Sequence, residues 1–473
     1  MSRPLRLLAI ALFACVGMTA HAASPLAGTT QATIKLPDYT RSTLPNGATV
    51  LLMPRHDVPM IAATVLVRGG ALADAPGKEG TASLLSDLLE KGAGERDALA
   101  FAQTVDGAGG FLNVGSSREA VVANAQFLSK DAGLMLGLLG DALLRPRLEQ
   151  AEFDKLKKRA IDGIASAKDG DPRGLIGEYM HAWLFQQQPY ARPDGGDETS
   201  LARITLEDLK AFRAQQMGGD RLIIAIAGDF DPATLGKQVA AVFGGWGKAT
   251  GTLPQVQAAH YQTGRRVLLV DKPGATQTYF TLANIGTVHN DPAEAPQNLV
   301  QTVFGGRFTS MINTALRIKS GLSYGAASVL ERPRSPGAVS ITSYTKTEST
   351  QAAIDLAIAT LAQLHATPLD AQAIASAKHY VSGQFAPRLE TAPQLAAQLA
   401  QLALYGDSRD SIDGYLGRIA TADPVQVNAA RSVFPKPEDL VIVAIGDADK
   451  IRGILKTYGP LTEMKLTDPR YSP

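Results

Sequence analysis

Two apolar runs ending in Gly-Asp constrain this chain more than any other feature. Leu222-Ile223-Ile224-Ala225-Ile226-Ala227-Gly228-Asp229 is matched by Leu440-Val441-Ile442-Val443-Ala444-Ile445-Gly446-Asp447 about 218 residues later. Val50-Leu51-Leu52-Met53-Pro54 is matched at nearly the same offset by Val267-Leu268-Leu269-Val270, with Pro273 close behind. Between these landmarks, Leu148 to Ile164 and Leu369 to Phe385 both read as helices. Three landmarks in one order at one spacing predict a single fold written twice. Gly244, Gly245, Gly247, Gly251 and Pro254 punctuate the join. The expected domains are residues 38–248 and 265–465, joined by an ordered linker over 249–264. Each holds about 200–210 residues, enough for a core of its own.

Both copies mix element types. Ala62 to Val67 reads as a strand entering a Gly69-Gly70 turn, and Ala120 to Phe127 as another. Ala82, Leu85, Leu88 and Leu89 share one helical face, as do Leu136, Leu139 and Leu143 before Pro146. In the second copy Ala338 to Tyr344 reads as a strand, and Ile354, Ile358 and Leu361 as a helix face. Several strands follow one another through short turns. The pattern predicts α+β domains with largely antiparallel sheets.

Composition removes several function classes. The 46 Lys and Arg nearly balance 45 Asp and Glu, which argues against a nucleic-acid binder. A single Cys excludes a disulfide framework, an iron–sulfur cluster and any multi-Cys zinc site. No Walker A loop or G-x-G-x-x-G fingerprint supports a nucleotide site. Arg3 and Arg6, the apolar run from Leu7 to Ala20, and Ala20-His21-Ala22 read as a signal peptide over residues 1–22. Export to a periplasm follows, and removal of Cys15 leaves a Cys-free mature chain. Leu12-Phe13-Ala14-Cys15 offers lipoprotein processing as the alternative. No later run is long and apolar enough to predict a membrane span.

Three blocks carry a resemblance. They are Gly69-Gly70 through Gly80-Thr81-Ala82 to Lys91-Gly92; Gly109-Gly110-Phe111-Leu112-Asn113-Val114 with Ser116-Ser117-Arg118-Glu119; and Gly305-Gly306-Arg307-Phe308-Thr309-Ser310 leading to Leu316-Arg317 and Gly321-Leu322-Ser323-Tyr324-Gly325. Over roughly residues 40–460 the chain resembles the insulinase/pitrilysin family, the inverzincins, and is similar to its bacterial and mitochondrial-processing-peptidase branch. That family places H-x-x-E-H on a helix, with two His as zinc ligands and the Glu as general base. Here the aligned positions are Ser83, Leu84, Leu85, Ser86 and Asp87, and the distal Glu ligand falls at Gly163, beside Asp162. The His residues after the leader are His56, His181, His260, His289, His365 and His379, and none stands one helical turn from another. No zinc site is expected in this chain.

The resemblance also implies a retained pair. Active members place an Arg and a Tyr seven positions apart in the second half, and Arg317 and Tyr324 match them. A phenol and a guanidinium suit the negative charge that builds on a carbonyl oxygen under attack. Asn113 matches an Asn on the cleft strand, where a peptide adds as a further strand. Loss and retention together imply a zinc-free subunit that lends Arg317 and Tyr324 to a same-fold partner carrying H-x-x-E-H and the zinc. The substrates would be unfolded peptides. The alternative is a non-catalytic peptide-binding or architectural subunit.

Overall fold

The computed structural model describes residues 34–473. The expected signal peptide over residues 1–22, with Cys15, lies outside the described residues. Each half builds a six-stranded sheet. In the first, the strands lie in the order Thr40–Thr43, Thr49–Pro54, Leu222–Gly228, Met60–Arg68, Ala120–Leu128 and Phe111–Ser116. In the second the order is Leu461–Lys465, Arg266–Asp271, Val441–Gly446, Gln277–Ile285, Ala338–Lys346 and Ala326–Leu330. The outermost strand at one edge is recruited differently in the two sheets. Thr40–Thr43 comes from upstream and pairs antiparallel, whereas Leu461–Lys465 comes from the far end and pairs parallel with Arg266–Asp271. All the other strands correspond in order and position. Apart from that edge, the only parallel contacts among the described residues are those of the two Gly-Asp runs with Thr49–Pro54 and Arg266–Asp271. The fold is α+β with antiparallel-rich sheets and helices on their faces.

The apolar runs are buried along their whole length, and strand alternation says why. Leu222, Ile224 and Ile226 point into the core of the first half with Leu85, Leu139 and Val239. Ile223, Ala225 and Ala227 point the other way and are equally buried. Likewise Ile442 and Ala444 join the second half's own core, while Val441, Val443 and Ile445 belong to a separate cluster.

Each outer face is covered by a helix from the opposite half. Ile176–Phe185, from the first half, packs on Gln277–Ile285 and Val441–Gly446. Ala392–Tyr405, from the second, packs on Met60–Arg68 and Leu222–Gly228. The two helices stand about one repeat apart, so the exchange is reciprocal. Polar clasps reinforce it. His181 lies 2.9 Å from Glu331, and Lys272 donates to the carbonyl oxygens of Lys168, Asp169 and Gly170 at 2.7–2.8 Å. Residues 35–473 therefore form one compact unit. Among the described residues no single helix is long and apolar enough to cross a membrane.

Candidate functional site

The helix that aligns with the zinc motif spans Thr81–Leu89, and its buried face holds Ala82, Leu85, Leu88 and Leu89 as their spacing requires. Its N-terminus is capped from outside the helix. Asp74 accepts from the Gly80 N–H at 2.8 Å and the Ala82 N–H at 2.9 Å. Burial pushes the Asp74 carboxyl up to about 7 against these donors.

Ser83 is half-buried and Asp87 exposed. Ser86 is wholly buried, and its hydroxyl donates back to the Ala82 carbonyl at 2.7 Å. The helix Gln150–Asp169 packs alongside and carries Gly163, where a Cβ would meet no atom within 4 Å. Asp162 pairs instead with Lys158 at 2.6 Å. Two hydroxyls, one carboxylate and a glycine do not make a zinc donor set, and one of the hydroxyls is committed to the backbone. The residues present do not fit the ion. Among the described residues no group of three or more His, Cys, Asp or Glu converges as metal ligands.

Beyond His181, three of the histidines have partners within the chain. His56 meets Asp229 at 2.6 Å, His289 meets Asp407 at 2.7 Å, and His365 meets the Pro435 carbonyl at 3.0 Å.

Asn113 stands on Phe111–Ser116, the open edge of the first sheet, with its side chain exposed. It donates to Glu90 Oε1 at 3.1 Å, and the Val114 N–H donates to the same oxygen. Glu90 follows directly on the helix, so one carboxylate ties the helix end to the edge strand. Burial raises its carboxyl above the ordinary range, although the Val114 and Asn113 donors and Lys91 oppose the shift. The sequence reading missed Glu90, as it missed Asp74. A Glu next to Lys91 at a helix end carries no local signal of such a role.

Arg317 and Tyr324 lie at the matching edge of the second half. A short helical turn, Met311–Asn313, widens into a π-helical stretch over Thr314–Lys319 that carries Arg317. The Gly321 N–H closes the end on the Arg317 carbonyl at 3.2 Å, and φ of 65° at Gly321 turns the chain. Tyr324 sits in the turn before Ala326–Leu330, 79% exposed, held off the sheet by its surroundings. Ser323 Oγ meets Ser343 Oγ at 3.0 Å, and Thr345 Oγ1 donates to the Leu322 carbonyl at 2.7 Å. These bonds pin the turn from below and leave the phenol facing outward.

Arg317 lies over the Phe308 ring, 4.8 Å from its centroid. Asn313 couples the two segments. Its amide donates to the Phe308 carbonyl at 2.6 Å and accepts from the Ala326 N–H at 3.1 Å. Asn313 is a positioning residue that the sequence did not single out, because an Asn one turn before an Arg is common. Gly305 lies so close to the edge strand that a Cβ would sit 2.2 Å from Ser328 Oγ, which explains the Gly305-Gly306 block.

Arg317 lines a groove of about 540 Å³ with Phe308, Asn313, Tyr344 and Tyr380. None of Ser83, Ser86, Asp87, Asn113 or Gly163 lines it. The structure brings Arg317 next to the turn of Tyr324 on one edge, and groups Ser83, Ser86, Asp87 and Asn113 around one helix in the other half.

A repeated α+β unit with a peptidase-type helix in one half and an Arg–Tyr edge in the other defines a peptidase-like protein of two sheets. Residues 49–197 match the model of insulinase (peptidase family M16), and residues 203–381 match that of the peptidase M16 inactive domain. The chain belongs to the insulinase, or peptidase M16, family. An uncharacterised zinc protease of Streptomyces coelicolor is 23% identical over 85% of this chain and 89% of its own length. One from Mycobacterium leprae is 26% identical over 64% of this chain and 68% of its own. Among solved structures, a peptidase M16 inactive domain from Pseudomonas fluorescens superposes with a TM-score of 0.81 at 23% identity, covering 87% of this chain and 98% of that one. A protease from Helicobacter pylori gives 0.79 at 19% identity, covering 87% and 100%.

Proposed function

We propose that this chain is the zinc-free subunit of a heterodimeric periplasmic metallopeptidase of the insulinase family. The observation that carries the reading is a contrast within one chain. Ser86 has its hydroxyl tied to the backbone where a general base would stand, while Tyr324 is 79% exposed with Arg317 close by in sequence on an open edge. A phenol held out of the sheet by pinned neighbours gains nothing for the fold, and burying it against a partner gives it a role.

In the complex, Tyr324 O–H donates to the carbonyl oxygen of a bound peptide as negative charge develops there. Arg317, steadied over Phe308, offers further N–H donors to the peptide backbone. The partner is a same-fold chain that carries H-x-x-E-H and supplies the metal. Asn113 on its open edge strand holds an extended peptide through backbone pairing and sets its register. Unfolded peptides are the substrate class, since an edge strand accepts only an extended chain.

Tyr324→Phe should lower the activity of the assembled complex by on the order of 10–1000-fold, as for loss of one transition-state donor, with assembly unchanged by gel filtration. A complex that assembles and runs at full rate with Phe at position 324 would overturn the assignment and leave a peptide-binding or architectural subunit.

A further inference from the structure

Where the two halves meet, a second cavity of about 720 Å³ opens, away from the Arg317 groove. Its walls carry three guanidinium groups: Arg41 from the edge strand Thr40–Thr43, Arg68 from the end of Met60–Arg68, and Arg334 from the second half. None of the three guanidinium groups forms an ion pair among the described residues, and the one carboxylate in the same wall, Glu119, meets Arg334 only through its backbone N–H. Arg68 donates once to the Ala403 carbonyl at 2.9 Å, and Arg334 once to the Leu404 carbonyl at 2.7 Å, at the C-terminus of Ala392–Tyr405. A guanidinium has five N–H donors, so each keeps donors to spare, and Arg41 uses none of its own among the described residues. The cations repel one another: burial, then Arg334 and Arg41, lower the pKa of Arg68.

Two buried oxygens in the same cavity also make no close hydrogen bond. Ser335 is 8% exposed, lines the wall, and its hydroxyl oxygen makes no hydrogen bond. Glu119 accepts from Tyr190 and from the Arg334 N–H through Oε1, while its buried Oε2 makes no close hydrogen bond, with the Tyr405 hydroxyl as its neighbouring donor. Three cations against one carboxylate, with unmatched buried polar atoms beside them, are a cost to the empty fold that an anionic ligand lowers. Leu72, Leu253, Pro254 and Val256 give the same wall an apolar stretch.

We propose that this cleft between the halves binds an amphipathic organic carboxylate. Its carboxylate lies among Arg41, Arg68 and Arg334, with the Ser335 hydroxyl donating to it. Its apolar body lies against Leu72 and the 253–256 segment. Such a head and body occur in an acyl amino acid or free peptide end and in a fatty acid. The first also brings an amide N–H that Glu119 Oε2 can accept. The site is independent of the Arg317–Tyr324 reading.

The test is isothermal titration calorimetry of the purified chain at low salt with N-acetyl-leucine, octanoate and inorganic phosphate in turn. One or both carboxylates should bind at one per chain. N-acetyl-leucine alone points to a peptide-type end, octanoate alone or both to the apolar acid. Arg41→Gln should weaken binding at least tenfold and Ser335→Ala several-fold. Both variants should keep the parent melting temperature, because neither side chain has a hydrogen-bond partner to lose. Phosphate binding as tightly as the carboxylates, no saturable binding by any probe, or binding unchanged in both variants overturns the proposal.

Discussion

Of the residues aligned with the zinc motif, Ser86 is the one tied most firmly into its own helix. Its side chain is wholly buried and its hydroxyl bonds the Ala82 carbonyl within the same helix. Ser86→Ala should change stability by less than about 1 kcal/mol, since the bond is local and a helix interior favours Ala. Ser86→Glu should cost about 1–3 kcal/mol or more, from overpacking and a buried carboxylate without a partner. Urea unfolding of the two variants checks both. Restoring the Glu alone is therefore expected to harm the fold before it helps any chemistry. Asp74 makes a second prediction. Its folded value of about 7 lies above the ordinary 3.8, so the folded chain binds this proton more tightly than the unfolded chain. Asp74 adds stability below about pH 4 that is lost as pH rises through about 7, a swing on the order of 4 kcal/mol. Asp74→Asn should flatten that part of the stability–pH curve relative to the parent. Ser83, Ser86, Asp87 and Gly163 were legible in the sequence because a motif fixes their positions. Asp74, Glu90 and Asn313 were not, because each acts on a segment some distance away that no local pattern names.

At the scale of elements, the two open edge strands carry the functional argument. Phe111–Ser116 is tied at Asn113 and Val114 to Glu90, and Ala326–Leu330 is braced by Gly305 and Asn313. Gly305→Ala should force the Ser328 contact apart, lower stability by about 1–3 kcal/mol, and speed amide exchange along residues 326–330. Exchange unchanged in that strand would mean the close approach does not brace it. Helix and strand spans were readable from periodicity. Thr81–Leu89 is a helix and Ala120–Leu128 a strand, as their apolar spacing predicted. The place of Tyr324 was not readable. Ser323, Ser343 and Thr345 hold it in a turn, and two of these come from another strand.

At the scale of the whole molecule, the reciprocal helices make the halves interdependent. Ile176–Phe185 buries Tyr179 against the second sheet, edge-on to Tyr471 with ring centroids 5.1 Å apart. Tyr179→Ala should destabilise by about 3–5 kcal/mol, as for truncating a buried aromatic. The loss should appear in both halves, because calorimetry is expected to show a single unfolding transition for residues 34–473. Two separate transitions would contradict that coupling. Halves expressed apart should aggregate, each exposing the sheet face that the other's helix covers.

The sequence by itself determined that the fold is repeated, and that Ser83, Ser86, Asp87 and Gly163 stand where the family resemblance places the zinc motif. Each of these is written in periodicity or in residue type along the chain. Tertiary structure alone decided which helix covers which sheet, that Tyr324 is turned out to solvent, and that three arginines gather around a single carboxylate, Glu119. A buried face attracts any apolar helix by the same non-directional force, and only packing in space selects among them.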